Sequence, residues 1–327
     1  MYSLNSSNAP TKIESTTFAD LNLKEKNIEE MLRVNLGMLF DDGDDETMLI
    51  VGQQVQTEAK TRSDLTAIDK DGNIVLIEIK RDKDDIIKRL EAVEFQAVRY
   101  AAAYASIETP DDLIREVYSG YVEKHKDEFV DHKELTSTEI AQRKLDRFIK
   151  NNQITSFNKL QRIMIVASGF DDDSLSAIAW LNSNNVDISC YQICPYKYKD
   201  DIIITFDKIL PLKEYKDFFL AINGNRVKDK KPASKKTQLP KIASMLRWGV
   251  INAGDILVAK NSAEEAELLA DGNVKLASGT TCSINQWLIK VYGWSTVQTY
   301  VYAIDKRSGK SLAEIREEYM EQHEDAE

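Results

Sequence analysis

Asp64, Glu78 and Lys80 carry the densest chemistry in the chain. They lie in Arg62-Ser63-Asp64-Leu65-Thr66-Ala67-Ile68-Asp69-Lys70-Asp71-Gly72-Asn73-Ile74-Val75-Leu76-Ile77-Glu78-Ile79-Lys80. Two apolar β-type runs flank a turn rich in Asp, Gly and Asn, which predicts a β-hairpin. With Gly72 in the left-handed position that closes a type I turn with a bulge, the loop is Lys70-Asp71-Gly72. Asp69 then faces Asn73 and, counting back, Asp64 faces Glu78. A two-residue loop at Asp71-Gly72 slips the register by one and sends Asp64 to the other face. In the first register, alternation gathers Asp64, Glu78 and Lys80 on one face and turns Ile77 and Ile79 to the other. Opposed like charges destabilise a strand pair, and an apolar sheet does not hold two carboxylates and an ammonium without compensation. Hard oxygen ligands at this spacing suit Mg²⁺ or Mn²⁺. Such an ion polarises a phosphodiester and helps generate hydroxide from water. Lys80 then positions or deprotonates that water, or stabilises the charge on phosphorus. The alternative is a surface hairpin crossed by a salt bridge.

The elements around the hairpin follow from periodicity. Ile28, Met31, Leu32 and Leu36 recur at helical spacing within residues 24–36. On that helix Glu25 and Glu29 stand one turn apart, and either can add a carboxylate to the site or simply face solvent. Strand-type runs cover Met48–Thr57, Asp64–Asp69 and Ile74–Lys80. A long helical pattern spans Asp82–Ser106 and places Gln96 and Tyr100 on one face, for helix packing or for the site. Residues 111–150 are polar and helical in pattern, and Ile163–Ala167, Val186–Ile193 and Ile202–Phe206 read as strands around a helix at Ser174–Asn182. Strands and helices mixed on this scale predict an α/β core, with a mixed sheet and helices on both faces, and a small α+β C-terminal domain. In the latter, helices are expected at 242–248, 283–291 and from 311, with strands near 256–259 and 274–277.

The 327 residues, 43% hydrophobic and 30% charged, give the balance of a globular chain of about two domains and exclude a disordered or collagen-like one. No apolar run is long enough for a membrane span, and the first twenty residues lack a signal-peptide layout, so the expected location is cytoplasmic. Cys190, Cys194 and Cys282, with His125, His132 and His323, match no zinc spacing and read as reduced, mostly buried thiols. The net charge of −11 argues against a nucleic-acid partner until its distribution is considered. Residues 223–313 carry 14 Lys and Arg against 7 Asp and Glu, and an acidic end follows. A basic stripe is the expected footprint of phosphate binding. Lys235 and Lys236 lie in a Pro- and Ser-containing stretch with few apolar residues, a linker whose charge can attract DNA. The expected division is 1–222, a linker at 223–240, a second domain at 241–318 and an acidic tail at 319–327.

In order, the helix with Glu25, then Asp64, Glu78-Ile79-Lys80 and Gln96-Ala97-Val98-Arg99-Tyr100 resembles the PD-(D/E)XK nuclease superfamily. The Gln-x-x-x-Tyr addition is similar to its RecB-like and archaeal-type mismatch endonuclease branch. The likeness spans Phe18 to about Leu212, with Ser63 at the position of the proline that names the motif, and Lys26-Asn27 where related sequences tend to have Arg-Asp. It implies a restriction-endonuclease-like core, Asp64 and Glu78 as metal ligands and Lys80 as the catalytic lysine. It also implies that Glu25 assists the metal or its water, and that Gln96 and Tyr100 orient the site or touch the DNA backbone. Residues 239–318 are similar to restriction-enzyme and adenine-methylase-associated readers of modified DNA. This second likeness rests on Gly249-Val250-Ile251-Asn252-Ala253-Gly254-Asp255, Asp271-Gly272, Ser283-Ile284-Asn285-Gln286-Trp287, Gly293-Trp294-Ser295-Thr296-Val297-Gln298-Thr299-Tyr300 and Gly309-Lys310-Ser311-Leu312. Aromatics in a basic module can stack an unpaired base, which makes Trp294 and Tyr300 candidates, although two in three such aromatics are expected to be core and Ser283 to be a helix cap. Together the likenesses imply a Mg²⁺-dependent DNA endonuclease of the modification-dependent restriction type, with Mn²⁺ as substitute and DNA as partner; double-strand cutting uses two active sites, for which a homodimer is one expected arrangement. The alternatives are a non-catalytic DNA-binding protein that keeps the fold, and a structure-specific repair nuclease.

Overall fold

Ile74–Lys80 and Arg162–Ala167 are apolar almost throughout because both are central strands covered on both faces: every residue of the first is buried, and all of the second except Arg162. The computed structural model describes residues 1–4, 8, 10–40, 46–56, 62–87, 91–129, 134–211 and 239–323. Up to Leu210 the elements are β1 (Tyr2–Leu4), β2 (Pro10–Lys12), α1 (Glu25–Val34), β3 (Met48–Gln56), β4 (Arg62–Asp69), β5 (Ile74–Lys80), α2 (Lys83–Ile87), α3 (Val93–Tyr104), α4 (Pro110–Leu113), α5 (Ser119–Lys124), α6 (Ser137–Asn151), β6 (Arg162–Ala167), α7 (Asp172–Ser183), β7 (Ile188–Tyr198) and β8 (Asp201–Leu210). After them come α8 (Ile242–Trp248), β9 (Ile256–Ala259), β10 (Glu265–Leu268), β11 (Asn273–Leu276), β12 (Thr281–Ser283), α9 (Ile284–Tyr292), α10 (Thr299–Tyr302), β13 (Ala303–Asp305) and α11 (Leu312–His323). The chain divides into two compact units: Met1–Leu39 with Leu49–Leu212, and Phe40–Met48 with Lys213–Glu327.

The first unit is mixed α/β around a six-stranded sheet of order β3-β4-β5-β6-β7-β8. β4 and β5 are antiparallel, β5, β6 and β7 run parallel, and β8 returns antiparallel to β7 as a half-exposed edge. Parallel neighbours need crossovers, supplied by α2–α6 between β5 and β6 and by α7 between β6 and β7. The single helix expected over Asp82–Ser106 is two, α2 and α3. Ala92 before α3 is extended (φ −62°, ψ 138°), and the redirected chain turns Val93, Ala97, Tyr100 and Tyr104 inward. Burial of that face overrides the local helical pattern. No helix among the described residues is long and apolar enough to cross a membrane.

The second unit holds a five-stranded antiparallel sheet of order β12-β11-β10-β9-β13 and, among the described residues, the helices α8–α11. Within it Ser295 N donates to Met48 O at 2.9 Å and Gln298 N to Thr47 Oγ1 at 3.1 Å, so Phe40–Met48 groups here and not with the residues on either side of it. Glu265-Ala266-Glu267-Leu268 has the composition of a helix yet forms β10, because alternation buries Ala266 and Leu268 and leaves both glutamates in solvent. α11 continues beyond residue 318 to His323, and Tyr319 stacks on Trp248 at 4.4 Å, so the helix runs through the boundary expected for an acidic tail. The expected linker lies mostly outside the described residues.

Candidate functional site

The β4–β5 turn has the three-residue form. Gly72 N donates to Asp69 O and Asp69 N to Asn73 O, each at 3.0 Å, with Gly72 at φ +84°. The Asp69 carboxylate closes the loop, accepting from Asp71 N at 3.0 Å and Asn73 N at 2.8 Å, and Arg162 reaches its other oxygen at 3.1 Å. Burial raises the Asp69 pKa above the ordinary aspartate range, opposed first by Arg162 and then by Asn73. The pairs Leu65↔Ile77, Thr66↔Leu76, Ala67↔Val75 and Ile68↔Ile74 follow, and one more step in this register puts Asp64 across from Glu78. Asn158 fixes the turn to its surroundings: its N donates to Gly72 O at 2.7 Å, and its Nδ2 to Tyr104 O and Ile107 O, both at 2.8 Å. A Cβ at Gly72 would run into Ser156 O and come within 2.6 Å of Ile154 Cγ2, on top of the left-handed backbone. Gly72→Ala is therefore expected to cost about 2 kcal/mol or more in urea unfolding. A loss under about 0.5 kcal/mol would mean that the turn readily adopts another form.

The ladder gives way where the charges sit. Ile79 N, which further backbone pairing would direct to β4, donates to Asp64 Oδ2 at 2.8 Å instead. Beyond it, Lys80 Nζ is ion-paired to Glu78 Oε1, with both side chains only 1% exposed. Thus the register puts Asp64, Glu78 and Lys80 on one face, and Glu78 and Lys80 form a buried pair. A charge taken out of water this completely is stable only with such a partner.

Of Glu25 and Glu29 on α1, the structure joins Glu29 to this group. Gln54 Nε2 donates to Glu29 Oε2 at 2.6 Å and to Asp64 Oδ1 at 3.1 Å. Burial raises the Glu29 carboxyl above the ordinary glutamate range; the Gln54 hydrogen bond opposes this and the negative Asp64 adds to it. Glu25, at the first turn, is half-buried; Arg81 pairs with Asp82 and Asp85 at 3.2 and 3.1 Å, and its basicity is raised first by Asp85, then by Asp82, with Glu25 adding least. Helical geometry separates the roles: one turn along α1 moves a carboxylate from the neighbourhood of Arg81 to that of Asp64. Asp82 itself ties down the chain before α1 by accepting from Phe18 N and Ala19 N at 3.2 and 3.1 Å.

Gln54 and Glu29 form the part of the site that sequence reasoning missed or left open. The available signal was Gly52-Gln53-Gln54, a polar break in the apolar run Met48–Val51. There Gln54 takes φ +55°, rare for a residue with a side chain. Next to it Gln53 Nε2 donates to Glu30 Oε2 at 3.3 Å, and its Oε1 meets His125 Nε2 at 2.8 Å. Arg33, buried on α1, holds Glu30 and Glu128 at 2.7 and 2.6 Å, so this flank is an ionic network among α1, β3 and the segment after α5.

On α3, Gln96 Nε2 donates to Tyr100 OH at 3.1 Å, and Tyr100 is buried. One turn on, the Tyr104 hydroxyl bonds Ser63 Oγ at 2.9 Å and Thr66 Oγ1 at 2.7 Å, clamping β4 beside Asp64. Glu94 on the same helix is 5% exposed, with no hydrogen-bond partner at Oε2 among the described residues. Burial, and then the Glu94 charge, push the Cys190 thiol up to about 12, so it stays protonated and unreactive.

Glu29, Asp64 and Glu78 are a hard-oxygen donor set of the type Mg²⁺ and Mn²⁺ take. Their carboxylates are turned to Gln54, Ile79 N and Lys80, and no three Asp, Glu, His or Cys side chains enclose an ion-sized space among the described residues.

The two candidate base-stacking residues prove to be core. Trp294 is 4% exposed, stacked on Tyr292 at 4.5 Å and edge-on to Tyr302 at 5.2 Å. Tyr300 is 8% exposed under the Arg316 guanidinium, 4.3 Å from its ring, and accepts from Ile242 N at 3.1 Å. Neither ring can stack a base without leaving the packed interior, which corrects that expectation. Ser283 caps α9 in a reciprocal box with Gln286, both bonds at 3.2 Å. This unit does present an open cleft of about 450 Å³, bordered by Lys260, Asn261, Ser262, Ser311 and Glu314. Lys235 and Lys236 lie outside the described residues. No family model matches the sequence, and no curated protein matches it.

Proposed function

We propose that the chain is a Mg²⁺-dependent DNA endonuclease of the PD-(D/E)XK kind, directed to modified DNA by its second unit. The observation that carries the reading is the register that places Asp64, Glu78 and Lys80 on one face of a buried hairpin, with Glu29 brought in through Gln54. Glu29, Asp64 and Glu78 would hold the ion. When bound, Mg²⁺ supplies a Lewis acid for the scissile phosphodiester and lowers the pKa of water. Lys80, set beside Glu78 by its ion pair, would place the attacking water and stabilise the negative charge that builds on phosphorus. Tyr104 holds β4 on either side of Asp64 through Ser63 and Thr66, so this acid stands on a fixed strand, and Gln96, bonded to Tyr100 on α3, would orient the site or touch the DNA backbone.

Delivery to modified DNA is supported by the collinear motifs of residues 239–318 and by the basic balance of residues 223–313. The test is cleavage of paired modified and unmodified plasmids, with Mg²⁺ or with excess EDTA. Nicking or linearisation of modified plasmid in Mg²⁺ alone is the expected result. Equal cleavage in EDTA overturns metal dependence. Binding without any cut establishes a non-catalytic protein, and indifference to modification shifts the reading to a structure-specific nuclease.

A further inference from the structure

We propose that Gln54 is an additional cation ligand, its carboxamide, which presents NH₂ to Glu29 and Asp64, turning its oxygen to a bound ion. This rests on the nuclease reading above. A single nitrogen, Nε2, lies 2.6 Å from Glu29 Oε2 and 3.1 Å from Asp64 Oδ1. A donor set between two carboxylates partly offsets their mutual repulsion, which is the task a divalent cation performs with far greater strength. Gln54 therefore occupies the position that a cation bridging these acids competes for. Glutamine carbonyl oxygens are ordinary ligands of hard cations. Exchanging Nε2 for Oε1 takes only rotation about the last side-chain torsion, which is soft in glutamine.

The backbone beneath the amide is held by packing. At Gly52 an added Cβ would lie 2.7 Å from Val55 Cγ2 and 2.8 Å from Val117 Cγ1, so the chain there has no slack. Gln53 is tied on its own side to Glu30 and His125. From this anchored stretch the left-handed turn at Gln54 swings its side chain to the Glu29–Asp64 pair. A residue serving only to fill space in β3 has no need of this conformation.

The test uses the full-length chain as wild type, Gln54→Met and Gln54→Glu. Mn²⁺ binding is measured by calorimetry, and the thermal midpoint is recorded with and without Mg²⁺. Methionine is close in size but offers no hard oxygen, so Gln54→Met is expected to weaken Mn²⁺ binding at least about tenfold. Gln54→Glu is expected to bind Mn²⁺ at least as tightly as wild type. Its midpoint should be lower without metal, because three carboxylates then converge, and should rise more than the wild-type midpoint on adding Mg²⁺. Wild-type affinity in Gln54→Met, or binding by Gln54→Glu as weak as that of Gln54→Met, overturns the assignment while leaving the nuclease reading in place. If Gln54→Met does not fold, the Mg²⁺-induced rise in Gln54→Glu decides alone: larger than wild type supports the ligand role, equal or smaller overturns it. A wild type that takes up no Mn²⁺ removes the metal reading and this inference together.

Discussion

Asp64→Asn is expected to leave the fold intact and reduce Mg²⁺-dependent cleavage of DNA by about a thousandfold or more, roughly 4 kcal/mol of transition-state stabilisation. The substitution keeps an oxygen for the Ile79 amide, so the splayed end of the β4–β5 ladder remains closed by the same bond. It removes the charge that the proposed metal site needs, and the effect should appear in kcat, with duplex affinity changed far less. Circular dichroism and the thermal midpoint report the fold, and single-turnover cleavage reports the chemistry. A folded Asp64→Asn chain that cuts within about threefold of wild type would remove Asp64 from the site.

The second large effect concerns stability. Lys80 and Glu78 are almost wholly removed from water and pair with each other. Replacing either one strands a charge in the interior, so Lys80→Met and Glu78→Leu are each expected to destabilise by about 3–5 kcal/mol in urea unfolding with chelator present. The double variant should lie near wild type, or even above it, because two well-packed apolar chains need no solvation. Additive losses would show that the two groups are not energetically coupled. The same cycle guards the activity test: a Lys80→Ala chain that fails to cut has to be separated from one that fails to fold.

The hairpin was legible in the sequence for a local reason. Gly72 after Asp71 selects the turn, the turn selects the register, and the register decides that Asp64 meets Glu78. Alternation and apolar runs likewise gave the central strands and most helices. Gln54 was hidden because its position depends on a left-handed residue inside a strand, and sequence spacing cannot show which way such a kink aims a side chain. The choice between Glu25 and Glu29 was hidden for a related reason: both have helical spacing, and only the packing of α1 separates them. Glu265–Leu268 was missed because its residues prefer a helix in isolation, and a neighbouring strand on either side overrides them. Trp294 and Tyr300 were misplaced because composition identifies an aromatic-rich segment but cannot tell a ring stacked on Tyr292 from a ring offered to solvent.

The parallel pairing of Glu78 with Ile165 carries a kinetic consequence. The β4–β5 hairpin closes over three residues and can form in microseconds, whereas its partner strand is synthesised only after the long crossover that holds α2–α6. Until that long crossover docks, β5 lacks the neighbour that covers its far edge in the folded chain. Desolvation of the Glu78–Lys80 pair is thus expected at a late step of high contact order, when β6 pairs with β5.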